Sequence, residues 1–477
     1  MTIENINVEA AIKRVNELIA AEKDLSPALK ASLEVLLLLV TILTNRLGLN
    51  SKNSSKPPSA DPNRKKDLKA PGEQRKPGGQ HGHIGATLQP VSDPDLVEVI
   101  KVDRSALPPG AYRTVGYECR QVIDLDISTV ITEWRAEILE DTKGKRYVAP
   151  FPKDVGRPVQ YGVGVKVNAV YMSQFQLIPY NRIEDHFLDQ MGIPLSVGTV
   201  NNFNQDAFAR LEYFETWAKE QLALSPLLHG DETGININGV KRWLHNVSND
   251  RCTFFYPHAH RGGEAIDEMG ILPGYKGIIC HDHWKPYFKY GGAHALCNAH
   301  HLRELERALE QDQQQWAGQM IVLLKEINKA TNDAGGCLHP EESEHYRQRY
   351  RILLRNAEME CPPPEEPEKK KKGKTKRSTA RNLLERLRDF ENETLRFMID
   401  ARVPFSNNQA ENDLRMTKVQ QKISGCFRSM DGAKTFCRIR SYLSTCRKQG
   451  VTASDALRLL FQGKWPAFMN VKEQNAE

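Results

Sequence analysis

The hydrophobic and polar positions follow several different periods along the chain, and each period predicts a different kind of element. Residues 8–47 carry apolar side chains at helical intervals, broken at Leu25-Ser26-Pro27, where Ser26 as cap and Pro27 in the first turn start a second helix. In that helix Leu33, Leu36, Val40, Leu43 and Leu47 recur at gaps of 3, 4, 3 and 4. This spacing keeps one apolar seam and suits either a helix packed on its own domain or a coiled coil for self-association. Residues 95–150 alternate apolar and polar positions, as in VEVIKVD and QVIDLDISTVITEW, which predicts a small β-rich module. From 160 to 210 the period turns helical again. NRIEDHFLDQ is followed by a turn at Met191-Gly192-Ile193-Pro194 and a second helix capped by Ser196, the outline of a helix-turn-helix.

Between 225 and 300 short strands are predicted at LLHGDETGI, VKRWLHNVS and CTFFYPH. A helix follows at GEAIDEMG, then a strand at YKGIICHD, an amphipathic piece at WKPYFKY and a strand at AHALCN. That order predicts an α/β core of RNase H-like type. Residues 303–400 read as a large helical insertion interrupted by the charged segment CPPPEEPEKKKKGKTKRST, and a last helical block closes the core. The expected organisation is therefore a helical segment, with coiled-coil potential, over 1–50; a basic linker over 51–90; a β-rich module over 91–155; a helix-turn-helix region over 156–222; and a catalytic core over 223–302 and 401–465 that encloses the insertion.

Composition adjusts this picture in three ways. Apolar residues make up 40% of the 477, enough for a buried core, and the net charge of +6 permits a nucleic-acid partner. The charge is uneven: residues 50–80 hold eight Lys or Arg against three Asp or Glu among abundant Pro, Gly and Ser. Such a segment is a linker whose positive excess also suits phosphates, with Lys76 as one contact. The nine cysteines form no CxxC pair, which fits a reducing cytoplasm. The N-terminus lacks the order of a signal peptide, and the run Val35–Leu43 is about half the roughly 20 residues that span a bilayer.

The candidate chemistry is phosphodiester cleavage. Two divalent cations can activate the attacking oxygen and stabilise the leaving one, and hard cations such as Mg²⁺ take carboxylate oxygens. Asp231 lies in the first core strand and Asp282 ends the fourth, its neighbour in an RNase H-like sheet, 51 residues later. Glu232 is expected on the opposite strand face from Asp231 and is not chosen. Within PFSNNQAENDLRMTKVQQKISG, Asn407 or Asn408 can cap a helix on which Glu411, Arg415, Lys418 and Lys422 share one face. That face would set a third carboxylate beside cations suited to DNA phosphates, and Arg303 and Arg428 are further candidates for such contacts. A plain surface ion pair is the alternative for Glu411.

The segments NSKNSSKPPS and RKPGGQHGH, then HGDETGI, then NNQAEN followed by Arg415 and Gly432-Ala433, resemble insertion sequence 66 family transposases. The resemblance implies a bacterial DDE-type transposase that is Mg²⁺-dependent, with Mn²⁺ as an alternative ion. It acts on the ends of its own mobile element, and its triad falls on Asp231, Asp282 and Glu411. Water attack would release a 3′-hydroxyl, which then attacks target DNA. Bringing two ends together implies a homo-oligomer, with accessory proteins of the same element as further partners and no membrane. Two other readings remain: a DNA-binding protein or repressor with an inactive core, and a metal-dependent nuclease without strand joining.

This sequence departs from the family pattern in three places. Only Cys119 stands where a CxxC zinc module is usual, Ser406 stands where Asp often precedes the Asn pair, and His283-Trp284 replaces a small turn residue. Nine of the fourteen histidines fall between 229 and 301. Cys280, His281, His283, His294, Cys297 and His300 include no pairs at finger spacing, so zinc is not expected there and packing or DNA contact, including by Cys297 and His300, is preferred.

Overall fold

A computed structural model describes residues 2–3, 6–22, 24–50, 52–54, 61, 88–364 and 377–470. The basic segment with Lys76, the GGQHGH motif and most of the Lys369–Arg377 run lie outside the described residues.

The chain divides into two units, one made of residues 1–64 and 134–477 and the other of residues 65–133. Among the described residues of the second unit, the regular structure is a 3-10 turn at Arg104–Ala106, and the Gln121 side chain bonds both backbone groups of Val91. The alternation over 95–150 produces one short hairpin, β3 (Ile138–Glu140) with β4 (Arg146–Val148), in the first unit. Elsewhere in this stretch Ile100, Val122, Leu125 and Ile131 stay exposed. Alternation favours a strand only where a partner strand and a covering layer receive it.

The first unit begins with β1 (Thr2–Ile3) paired to β2 (Ile6–Asn7), then α1 (Val8–Ala21) and α2 (Pro27–Leu47). The Ser26 hydroxyl accepts from Leu29 N, and Pro27 opens the helix, as expected. No residue of α2 is buried. Its exposed apolar side chains include the seam residues Leu36, Val40, Leu43 and Leu47, together with Val35, Leu38, Leu39 and Ile42 outside the seam. The apolar run is therefore part of a 21-residue helix, long and apolar enough by length and composition to cross a membrane. Length alone does not exclude a span, although the nine-residue run by itself suggests that it does.

Four helices follow: α3 (Val163–Val170), continued by a π turn over Tyr171–Phe175, α4 (Tyr180–Met191), α5 (Val197–Arg210) and α6 (Glu212–Ala223). Gly192 ends α4 in the left-handed conformation at φ 65°, and the Ser196 hydroxyl caps α5 through Thr199 N. The two helices bury Ile183, Phe187, Val200, Phe203 and Ala207 in one core and leave Asn201 and Asn202 exposed.

A five-stranded sheet organises the rest. It comprises β5 (Leu227–Ile237), β6 (Val240–Ser248), β7 (Thr253–His258), β8 (Ile278–His281) and β9 (Ala293–Leu296), in the order β7-β6-β5-β8-β9. The first three run antiparallel, whereas β8 and β9 are parallel to β5, with α7 (Gly263–Met269) in the crossover. Each strand coincides with one read from the sequence, because short apolar runs bounded by turn residues carry a strong local signal.

Helices α8 (Asn298–Gln311), α9 (Gln315–Asp333), α10 (Pro340–Glu360), α11 (Thr379–Asp389) and α12 (Glu391–Leu395) form the insertion around a second core, to which the sheet contributes Ile278, Cys280 and Ala295. The chain then returns through α13 (Asn408–Ser424), α14 (Met430–Lys448) and α15 (Ala453–Phe461). α14 covers the sheet, its Ser441 and Thr445 hydroxyl oxygens accepting from Phe255 N and Thr253 N of β7 at 2.9 and 3.1 Å.

Candidate functional site

Strand β5 and its parallel neighbour position the first two carboxylates. The register pairs His229 with Cys280, so Asp231 and Asp282 each lie two residues beyond the same rung. Asp231 Oδ1 accepts from Glu232 N at 2.8 Å, and Asp282 Oδ1 accepts from Trp284 N at 3.1 Å. Burial holds the Asp231 carboxyl well above the usual range, and the charges of Glu232, Asp282 and Glu411 push in the same direction. A carboxylate with so little hydrogen bonding and so many like charges around it is costly to bury unless a cation joins it.

Glu411 reaches this place because α13 lies along β5. Ala410, Leu414 and Thr417 form the buried face of the helix at helical spacing. Asn407 is the helix cap by position, but its side chain makes no capping bond. Its Nδ2 donates to Gly230 O at 2.9 Å, its Oδ1 lies 2.7 Å from His229 Nδ1, and its backbone N–H donates to Cys297 Sγ at 3.1 Å. The first Asn of the NNQAEN motif thus clamps α13 to β5 and departs from the expected capping role. Asn246, opposite Asp231 in the β5–β6 register, donates from Nδ2 to Ala410 O at 3.4 Å. At the other end Lys418 Nζ donates to Gly234 O at 2.8 Å.

Around Glu411 stand groups from α8. His300 Nδ1 is 3.7 Å and Arg303 Nη2 3.4 Å from Glu411 Oε1. Ligand atoms of Cys297, His300 and Glu411 lie within 4.8 Å of one another, and His300 Nδ1 is buried without a hydrogen-bond partner among the described residues. An orphaned imidazole nitrogen facing a carboxylate fits a cation between them. Burial pushes the Cys297 thiol up to about 11, so it stays protonated near neutral pH and is a poor ligand for a hard ion.

The other groups weighed for zinc do not assemble into one site. His281 Nε2 lies 3.2 Å from His294 Nδ1, and both rings pack on Phe288. His283 packs on Phe288 and Phe390. Burial lowers His281, and also His283, the latter to about 4, as suits neutral rings in a packed layer. Cys119 is free and exposed. Among the basic candidates, Arg415, Lys422 and Arg428 sit on exposed parts of α13 and the turn after it.

One group is underrated by sequence reasoning. Glu232 does face away from Asp231 along β5, yet its side chain is only 1% exposed. Tyr287 Oη donates to its Oε2 at 3.0 Å, and Arg261 donates to its Oε1 from Nε at 2.8 Å and from Nη2 at 2.5 Å. Burial, and after it the charge of Asp282, raise Glu232 to about 7 despite Arg261. Gly230 is required beside it, since a Cβ there would meet Tyr287 Cε1 at 2.9 Å. The adjacency of two acids in HGDET is the one signal that could have found this group.

No curated protein matches the chain. Residues 158–435, more than half of it, match the sequence model of the Transposase IS66 family, and residues 3–89 match a family of unknown function.

Proposed function

The chain belongs to the Transposase IS66 family, and from that premise we propose that it cuts and joins the ends of its own insertion sequence with Asp231, Asp282 and Glu411 as its metal-binding carboxylates. The observation that carries the reading is the approach to Asp231 of both Asp282, from the end of the adjacent parallel strand, and Glu411, from a helix that packs along β5 and lies 129 residues after Asp282. The strand order, with three antiparallel strands followed by two parallel ones, supports an RNase H-like core. The α4–α5 pair supports a helix-turn-helix, and the exposed Leu36–Leu47 seam of α2 supports a homo-oligomer.

Mg²⁺ or Mn²⁺ held by the triad would supply Lewis-acid activation and charge stabilisation for the phosphoryl chemistry. The protein's own share is positioning. Asp231 is fixed within β5, Asp282 directly after the end of β8, and Glu411 by the Asn407 clamp. Arg303 holds the Glu411 carboxylate from the α8 side, and His300 Nδ1 faces it. Arg415, Lys422 and Arg428 offer charge to the DNA backbone, and Lys418 does so while tied to β5. Water attack on a phosphodiester at the element's end releases a 3′-hydroxyl, and that hydroxyl attacks a target phosphodiester in a cytoplasmic DNA transaction.

The test is strand joining on labelled duplexes that carry the terminal inverted repeats flanking the gene, beside scrambled ends, in Mg²⁺. Cutting and joining confined to the true ends is the expected result. Equal cutting of scrambled DNA without joining would establish a nuclease, and specific binding without cutting would establish a repressor.

Metal binding also has a signature in stability. Asp231 and Glu232 have raised folded-state values, so the fold keeps their protons to higher pH than the unfolded chain does. Their contribution is intact in acid and is lost as pH climbs, for Glu232 from its ordinary 4.5 through about 7. A divalent cation offsets that loss, so Mn²⁺ should raise the thermal midpoint more at pH 8 than at pH 5.5. Differential scanning fluorimetry of wild type and Asp231→Asn checks this, and an equal shift in both proteins would rule out binding at Asp231.

A further inference from the structure

Arg261 stands in the short connection between β7 and α7, and three neighbours fix it. Two of its nitrogens bond Glu232 Oε1. Its guanidinium carbon lies 4.9 Å from the Trp243 ring centre and 4.7 Å from that of Trp284, two residues after Asp282. Trp243 also carries Lys241 Nζ at 4.6 Å, and Trp284 meets the edge of Tyr287 at 5.5 Å, so both indoles are already engaged.

Despite these contacts the Arg261 side chain remains 41% exposed, while Glu232 beneath it is closed off. A cation needed only to neutralise a buried acid would be covered along with it. Here Nη1 makes no hydrogen bond among the described residues, although the rest of the fork is immobilised. A planar guanidinium held between two rings, with one edge outward, has lost its rotamer freedom before any ligand arrives and matches the geometry of a phosphate. Its partners tie that edge to the candidate site: Glu232 follows Asp231 in β5 and lies within reach of the Asp282 charge, and Trp284 comes two residues after Asp282.

Building on the transposase reading, we infer that Arg261 binds the backbone phosphate neighbouring the scissile one, and that Glu232 is a positioning residue acting through it. Both indoles already hold a cation, and the group left outward is a guanidinium edge shaped for phosphate oxygens, so the contact is to the backbone and independent of sequence.

The test uses the full chain, Ca²⁺ to permit binding without cutting, and a labelled duplex of the element's terminal repeat with single methylphosphonates placed one at a time around the cleavage site. Wild type should lose about tenfold in affinity at one flanking position. Arg261→Gln should bind the all-phosphate duplex about tenfold more weakly, ignore the methylphosphonate at that position and respond normally elsewhere. Arg261→Lys should recover part of the affinity. An Arg261→Gln protein that binds like wild type, or still loses tenfold at every position wild type senses, overturns the inference. A wild type that shows the Arg261-dependent position but never cuts in Mg²⁺ overturns the transposase reading alone, and one that binds no duplex overturns both.

Discussion

Glu411→Gln is expected to lower strand cleavage by about a thousandfold or more while terminal-DNA binding is retained. The amide keeps the size of the side chain and can still accept from Arg303, so α13 has no reason to move. What disappears is one negative charge at the point where Asp231 and Asp282 converge. A loss of about 10³ corresponds to roughly 4 kcal/mol of transition-state stabilisation, the scale at which removal of a preorganised electrostatic group is felt. Single-turnover cleavage of the labelled terminal repeat measures it. Wild-type rates in Glu411→Gln would remove this residue from the triad and leave the plain Glu–Arg surface pair as its role.

Asn407→Ala is expected to cost about 2–4 kcal/mol of stability, and most of the activity with it. Asn407 is 1% exposed and holds both Gly230 O and His229 Nδ1. Since its amide nitrogen is spent on Gly230 O, its oxygen must accept, which places the His229 proton on Nδ1. Burial lowers His229, in keeping with a neutral ring. Alanine would strand two buried polar groups and release the start of α13, four residues before Glu411. Urea denaturation followed by cleavage kinetics checks both parts. Unchanged stability with lost activity would mean that Asn407 touches the reaction directly and is no clamp.

Parts of the fold that depend on neighbours in sequence were legible in advance. Ser26-Pro27 and Ser196 mark helix starts by local hydrogen bonding, and both caps form. The strands from Leu227 to Leu296 are short apolar runs bounded by turns, and all five were readable. Their order also placed Asp231 beside Asp282, since the crossover after β7 carries the chain past β6 to lie parallel to β5.

What the sequence could not state is which distant surfaces meet. The alternation over 95–134 carries the period of a strand but cannot name a partner, and among the described residues there it finds none. The apolar residues of α2 encircle the helix beyond the seam, so pattern alone overstated its amphipathic character. The cysteines and histidines near Asp282 separated into a packed aromatic layer and a trio with Glu411 because they lie on different strands and faces. Strand alternation set Glu232 on the other face from Asp231, and only the approach of Tyr287 and Arg261 gave it surroundings.

The sequence by itself determined the strands, the position of Asp231 and Asp282 along them and the helix starts, because period, turn and cap are settled within a few residues. Tertiary structure alone decided that Glu411 comes within reach of Asp231, that Asn407 clamps where a cap was expected, and that Arg261 stands over Glu232. Those pairings are set by the packing of α13 and the β7–α7 connection on the sheet, where separations of 29 to 178 residues leave no local trace.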